Sequence, residues 1–496
     1  MPRHQPFVLS ILLLAAPRAA FAQCPVPPLQ VTTGAMDGGR AIVNDAYASL
    51  PAHVQFFDKT TQGWQPVQLF LIGEPAVFHQ VQVALKGDRA IAASPEATGG
   101  DFLSGRAFVF DRVGSQWVAT ELHPATQGQG DLLGTAVAID GNVAVVAASH
   151  DIEFSDFLPR VHVFEFDGAS WNERAQIPGH YGPVAVEGDW LALGDEDYQS
   201  GNVDVFRRVS GIWAWNNRFA ALHTQPPDGP VFGVSLAFDG GRLAVGAAHS
   251  TTASWPGYVE IFRVQGTYLV RDQHLVPADT AAYDSFGQSV ALEGPTLLVG
   301  APGPGSPGGR GLVHRFEDDG ANFVETGSFG DPSTGIGFGQ RIAFSGEDAI
   351  FARYSTGSFF RLGFAATASF CPTTPNSTGA SATLSVEGCD SLAGERITLA
   401  AAGLPPGALV HFLVGANTAQ VPFGDGFRCI GDPFFRVTGG ASDASGRLAR
   451  DLDFSTSPAN GFSAGATWHF QAAYRDPASS GARLNTSNAL SVRITP

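Results

Sequence analysis

The sequence predicts an all-β protein, a seven-bladed β-propeller followed by a C-terminal β-sandwich domain. Three observations carry this. A motif of about 50 residues recurs seven times, the period of four-stranded propeller units. Each copy is built from short apolar runs of period two bounded by Gly and Pro, the pattern of strands and hairpins. The composition is rich in turn formers, with 60 Gly and 33 Pro among 496 residues, and charged residues make up only 15%, against about 25% in an average soluble domain.

Residues 1–22 read as a signal peptide. Arg3 and His4 precede the apolar run Phe7–Ala16, which is too short for the roughly 20 residues of a membrane span. Ala20-Phe21-Ala22 is an A-x-A cleavage site, so the mature chain is expected to start at Gln23. No other segment reads as transmembrane. Secretion or an envelope location makes disulfides the default for Cys24, Cys371, Cys389 and Cys429. Four cysteines allow three pairings. Cys24–Cys371 with Cys389–Cys429 is the expected one, because the first two flank the repeats and the others lie downstream.

The copy at Ser285–Glu325 shows the motif in full. Alternation through Val290 and Leu292 stops at Gly294, and Thr296–Val299 stops at Gly300-Ala301-Pro302. A third strand spans Val313–Phe316, and a fourth opens on Phe323 after the turn Asp319-Gly320. The turn glycine between the first two strands recurs at Gly38, Gly87, Gly141, Gly188, Gly240, Gly294 and Gly346, between 47 and 54 residues apart. The third strand recurs from Val54, Ala107, Val161, Val203, Val259, Val313 and Phe359. An aromatic opens the fourth at Trp64, Trp117, Trp171, Trp213, Tyr268 and Phe323. Strands such as Ala136–Ala147 are apolar on both faces, so each sheet needs a like neighbour on either side. A ring supplies that burial, worth about 25 cal/mol per Å² of apolar area. The seventh copy has a weak fourth strand in Gly363–Phe370. Val26–Val31 is expected to complete it, and a Cys24–Cys371 bridge to lock the seam.

The array is similar to the FG-GAP repeat family, whose repeats build integrin-type propellers. Phe286-Gly287, Gly300-Ala301-Pro302 and the G-x-V-x-x-F of Gly311–Phe316 carry the resemblance, which extends over about Leu29–Phe364 and fits a bacterial secreted variant. Calcium-binding members carry D-x-D-x-D-G-x-x-D between the first two strands. Here that loop is Leu292-Glu293-Gly294-Pro295 or Ile139-Asp140-Gly141-Asn142. A calcium ion takes six to eight oxygens, so the resemblance does not imply calcium, and no cofactor is expected. Kelch repeats share the period and are the runner-up; Gly240-Gly241 is similar to their diglycine, which most copies lack.

The domain organisation expected is a propeller over residues 23–365, a Pro/Thr/Ser-rich linker over 366–380 and a β-sandwich over 381–496. Seven runs predict the sandwich strands, at Ala382–Val386, Arg396–Ala401, Leu409–Val414, Phe434–Thr438, Leu448–Phe454, Thr467–Tyr474 and Ala489–Ile494.

Candidate chemistry is sparse. Asp195 and Asp197, in an acidic run with Glu196, are the metal candidates, set against a plain solvated turn. His150 and His249 sit at equivalent loop positions, two blades apart. Trp64, Trp117, Trp171 and Trp213 could stack sugars, but their fixed place in the repeat favours packing between blades. Glu317–Phe323 is similar to an Asp box, a structural hairpin, with a weaker echo at Asp167–Trp171. Asn376 and Asn485 head glycosylation sequons. No catalytic motif is assigned. The net charge of −17 argues against nucleic acid and anionic membranes as partners. The expected function is a non-catalytic binding or adhesion protein for an extracellular protein or glycan. The alternatives are a polysaccharide hydrolase or lyase, or a structural surface component. Carboxylates or arginines converging over the channel would point to an enzyme.

Overall fold

The computed structural model describes residues 22–25, 31–45, 51–60, 63–73, 81–98, 101–149, 159–180, 182–195, 201–221, 231–248, 257–277, 282–304, 311–329, 337–346, 348–353, 356–363, 368–388, 396–463, 466–476, 478–479 and 481–494. Residues 1–21 of the signal segment, His150, Asp197, His249 and Cys389 lie outside them, as does the side chain of Asp195.

In chain order the strands are β1 (Ala22–Pro25), β2 (Val31–Asp37), β3 (Arg40–Asp45), β4 (His53–Thr60), β5 (Gly63–Leu71), β6 (Gln82–Lys86), β7 (Arg89–Ser94), β8 (Arg106–Val113), β9 (Gln116–Leu122), β10 (Leu133–Asp140), β11 (Val143–Ala148), β12 (Arg160–Phe166), β13 (Trp171–Pro178), β14 (Val184–Glu187), β15 (Trp190–Asp195), β16 (Asn202–Val209), β17 (Ile212–Ala220), β18 (Val231–Asp239), β19 (Arg242–Ala248), β20 (Tyr258–Gln265), β21 (Tyr268–Leu275), β22 (Ser289–Glu293), β23 (Thr296–Ala301), β24 (Leu312–Asp318), β25 (Phe323–Phe329), β26 (Arg341–Ser345), β27 (Asp348–Arg353) and β28 (Thr356–Gly363). β2–β25 form six consecutive four-stranded antiparallel meanders. The seventh sheet has the order β1-β28-β27-β26, so the first strand of the chain pairs with the last of the repeats. All seven predicted turn glycines adopt left-handed φ, between 53° and 62°, where glycine carries no Cβ penalty.

The expected closing segment, Val26–Val31, is corrected by this register. Ala22–Pro25 closes the seventh sheet, with Cys24 opposite Arg361, and Val31 opens the first. Pro25 ends β1, and proline is tolerated on an edge strand.

Apolar clusters explain why the sheets sit side by side. Each joins one sheet to the next, and the cluster of Val31, Met36, Ala41, Val43 and Phe57 with Ile350 and Ala343 joins the seventh to the first. The arrangement is propeller-like. Its innermost strands share one rule. Three residues before the turn glycine stands an alanine in every copy: Ala35, Ala84, Ala138, Ala185, Ala237, Ala291 and Ala343. One residue before the glycine, on the same face of the strand as the alanine, stands Asp37, Lys86, Asp140, Glu187, Asp239, Glu293 or Ser345. Between these two comes a larger apolar side chain, Met36, Leu85, Ile139, Val186, Phe238, Leu292 or Phe344. That side chain packs in the cluster shared with the preceding sheet, whereas the alanine packs towards the following one. Small against large lets seven strands crowd about one axis.

Of the aromatics that open the fourth strands, Trp64, Trp117, Trp171, Trp213 and Phe323 pack between sheets, whereas Tyr268 is exposed and Leu269 after it packs instead. Trp117 stacks on Phe56 of the preceding sheet at 4.3 Å. Trp213 donates its indole N–H to Glu165 at 2.9 Å, and Trp171 to Asp111 at 3.3 Å, each across a sheet boundary.

Beyond the repeats, a five-stranded sheet contains Ala368–Phe370, Leu409–Gly415, Phe434–Ala441, Thr467–Arg475 and Leu484–Arg493, and a three-stranded sheet contains Thr383–Gly388, Arg396–Ala402 and Leu448–Asp453. Phe412, Phe470, Tyr474, Ile397 and Leu399 lie in the core that these strands share. All seven predicted strands are present. Ala368–Phe370, inside the segment read as linker, is a strand of this sheet, pairing with Ala489–Ser491. The hairpin Thr418–Phe423 with Gly426–Ile430 was not anticipated.

The cysteine pairing is corrected as well. Cys371 is bonded to Cys429, with Cα atoms 5.9 Å apart, which excludes both Cys24–Cys371 and Cys389–Cys429. The sequence argument placed Cys371 with the repeats. It instead follows directly on Phe370 and enters the C-terminal core with Cys429 and Ile430. Non-reducing peptide mapping is expected to yield a Cys371–Cys429 peptide; a Cys24–Cys371 peptide would contradict the structure.

Candidate functional site at the mouth of the ring

The innermost strands surround a central cavity of about 280 Å³. At one end stands the residue before each turn glycine: Asp37, Lys86, Asp140, Glu187, Asp239, Glu293 and Ser345. This residue lies on the same strand face as the alanine two positions earlier, so it is directed at the following sheet.

Six of the seven positions carry acceptors, and each accepts from the next turn. The Gly87 amide donates to Asp37 at 2.6 Å, Gly188 to Asp140 at 2.7 Å and Gly294 to Asp239 at 2.8 Å. Glu187 accepts from Gly240 and Gly241 at 2.6 and 2.9 Å. Glu293 accepts from the Gly346 amide at 2.6 Å and the Ser345 hydroxyl at 2.8 Å. Ser345 in turn accepts from the Gly38 amide at 3.0 Å, linking the seventh sheet to the first. Such charge-assisted bonds are the stronger kind. Arginines grip the other side of the turns: Arg40 donates to the Gly87 carbonyl and Arg89 to that of Gly141, both at 2.8 Å, and Arg242 to that of Gly294.

The exception is Lys86. An ammonium cannot accept, and no acceptor among the described residues takes the Gly141 amide. Lys86 instead donates across the mouth to Asp239 at 2.7 Å. The chain's other lysine, Lys59, bonds Asp348 at the junction of the first and seventh sheets. Burial opposes the charge on Lys86, but the Asp239 hydrogen bond and the charges of Asp239, Asp37 and Asp140 together outweigh it, and its pKa is raised above 10.5. A raised pKa stabilises the fold fully below the unfolded value and is lost as pH rises through the folded one. The difference in melting temperature between wild type and Lys86→Met is therefore expected to be constant below about pH 10 and to shrink above it; a gap that widens there would contradict this.

Next to the mouth, between the second and third sheets, lies a groove of about 890 Å³. Lys86, Asp37 and Asp140 line its inner end, and Arg89, Arg112, Val113, Val118, Phe166 and Trp171 its walls. The Arg89 guanidinium stacks over Phe166 at 4.5 Å and pairs with Asp111 at 2.6 Å. Arg112 pairs with Asp58 at 2.8 Å. That hydrogen bond is the largest influence on Asp58 and holds its carboxyl below the ordinary value.

Asp167, Asp319 and the sequon asparagines do not line this groove. Among the described residues no group of three His, Cys, Asp or Glu is placed to hold a metal. The Asp-box-like turns are hairpin locks: Asp319 accepts from the Ala321 and Asn322 amides and Asp167 from those of Ala169 and Ser170, all at 2.9 Å. The sequon asparagines are enclosed. Asn485 is 1% exposed and Asn376 8%, with its amide donating to Gly403 at 2.7 Å, so neither is open to a glycan. No helix among the described residues is long and apolar enough to cross a membrane.

The ring residues were missed in the sequence because the loop was compared with a calcium motif and set aside for having too few carboxylates. The usable signal was the register. Alanine, any residue, acid, glycine recurs in five of the seven copies.

The glycines of the repeat also meet across the sheet boundaries. A Cβ on Gly246 would stand 2.0 Å from the carbonyl oxygen of Gly287, and one on Gly300 would stand 1.9 Å from that of Gly339. Residues 270–314, from the fourth strand of the fifth sheet to the third strand of the sixth, match the FG-GAP repeat family model. This stretch is similar to an FG-GAP repeat. In it, the glycine of Gly300-Ala301-Pro302 meets the glycine of the next sheet's Phe338-Gly339, so the two halves of the repeat signature are the two sides of one contact. No curated protein matches the chain.

Proposed function

We propose that the protein is a non-catalytic binding or adhesion protein of the cell exterior or envelope, built on a propeller scaffold, with an extracellular protein or glycan as partner. On this reading residues 1–22 are a removed leader, 23–365 the ring, 366–380 the connection and 381–496 a sandwich. The Cys371–Cys429 disulfide supports an oxidising location.

The observation that carries the reading is the use made of the acids at the mouth. Carboxylates do converge there, as an enzyme would require. Yet each is bound to a turn amide of the following sheet, and Glu187 and Glu293 have both oxygens engaged. Groups committed in this way hold the ring together. A second reading, a hydrolase or lyase acting on extracellular polysaccharide, is favoured by one detail: Asp37 and Asp140, which flank Lys86, each use a single oxygen on a turn.

An array of glycans and extracellular proteins, combined with a polysaccharide turnover screen, separates the two. Saturable binding without product release is the expected result, and catalytic release of sugar would overturn it.

A further inference from the structure

We propose that the groove between the second and third sheets binds an oligosaccharide through a single carboxylate, which takes the place of the acid missing at Lys86. The inference rests on the binding reading above and specifies its ligand.

The argument starts from the repeat. Six of seven turns have their amide claimed by an acceptor of the preceding sheet, five of them by a carboxylate. At the seventh, a lysine stands where the acceptor should be, and the Gly141 amide is left open. A repeat that breaks its own rule at one place does so at a cost, and such places are where function is expected. The described groove of about 890 Å³ opens at this same boundary, and Lys86 and Gly141 both line it. An incoming carboxylate would restore the acceptor that the other turns have, and it would find an ammonium beside it.

The charges facing the groove decide what else the ligand can be. Arg89 is held by Asp111 and Arg112 by Asp58, so neither guanidinium is the free cation. Lys86 spends one donor on Asp239 and has others to offer. Asp37, Asp88 and Asp140 also line the groove and would repel a polyanion. The fit is one carboxylate on an otherwise neutral molecule. The walls are mixed: Val113 and Val118 are exposed, Trp171 adds an aromatic edge, and Thr120 and Ser170 add hydroxyls. Apolar and aromatic surface set beside hydroxyls and charged groups suits the alternating faces and hydroxyls of sugar rings.

The test uses a tetrasaccharide ending in one glucuronic acid residue and the same tetrasaccharide ending in glucose, titrated calorimetrically into the full mature chain. The acid-ended probe is expected to bind at least about tenfold more tightly, the scale of one charge-assisted hydrogen bond, and less tightly as salt rises. Lys86→Glu supplies the missing acceptor from within, so it should lose that advantage while keeping a cooperative melt. Trp171→Leu should weaken both probes with Lys86 intact. Equal affinity for the two probes, undiminished binding by Lys86→Glu, or no binding of either probe to the folded wild type would overturn the proposal. In those cases array binding elsewhere leaves the broader reading standing. Cleavage of either probe would instead refute the non-catalytic reading itself.

Discussion

Gly300→Val is expected to destabilise the ring by at least about 3 kcal/mol, the upper range for overpacking a close contact. The added Cβ would stand 1.9 Å from the carbonyl oxygen of Gly339 and 2.4 Å from the Ser289 hydroxyl oxygen. Neither can withdraw cheaply. The first is backbone of the adjoining sheet, and the Ser289 hydroxyl donates to that same carbonyl at 2.7 Å. The two sheets must separate, which opens the cluster of Leu298, Val313, Phe338 and Phe351 behind them. Gly461→Ala is the matched control, because nothing lies within 4 Å of a Cβ there. Chemical denaturation should show a large loss for the first and no more than a few tenths of a kcal/mol for the second. Similar small effects for both would mean that the sheets do not meet as described.

The second large effect concerns the seam. A mature chain beginning at Val26 lacks β1, so β28 loses the four-residue partner that runs opposite Phe360–Gly363. Among the described residues, the seventh sheet is then held to the first by the shared apolar cluster, the Lys59–Asp348 pair and the Gly38–Ser345 bond. An unpaired edge is also a template for pairing between molecules. A chain starting at Gln23, which keeps the pairing of Gln23–Pro25 with Phe360–Leu362, is expected to melt at the full value and to elute as a single species. The one starting at Val26 should melt lower and form larger assemblies. Equal melting of the two would remove β1 from the account of closure.

Much of the fold was legible because the repeat wrote it seven times. Every turn glycine was found, since left-handed φ leaves glycine little competition. The third strands and the aromatics after them stood out by fixed spacing. What failed was whatever occurs once. The closing strand is four residues long and ends in Pro25, so neither length nor propensity marked it. The disulfide was misassigned because sequence order placed Cys371 at the end of the ring, whereas the strand Ala368–Phe370 just before it belongs to the C-terminal sheet. The hairpin at Thr418–Ile430 was hidden by Pro422 and Gly424, which read as loop. The ring of acids was in plain view as the residue before each glycine. Its meaning needed the following sheet, because each carboxylate is satisfied by a backbone amide 48 to 55 residues away, and no pairing of side chains announces that.

The belt of turn contacts, broken at one place, is the claim on which both the stability and the ligand arguments stand. Amide hydrogen exchange of the native chain reads it residue by residue. The amides of Gly87, Gly188, Gly240, Gly294 and Gly346 are expected to be protected, and Gly141 to exchange at the rate of an open turn. A Gly141 amide as slow as the others, or all six exchanging freely, would contradict it.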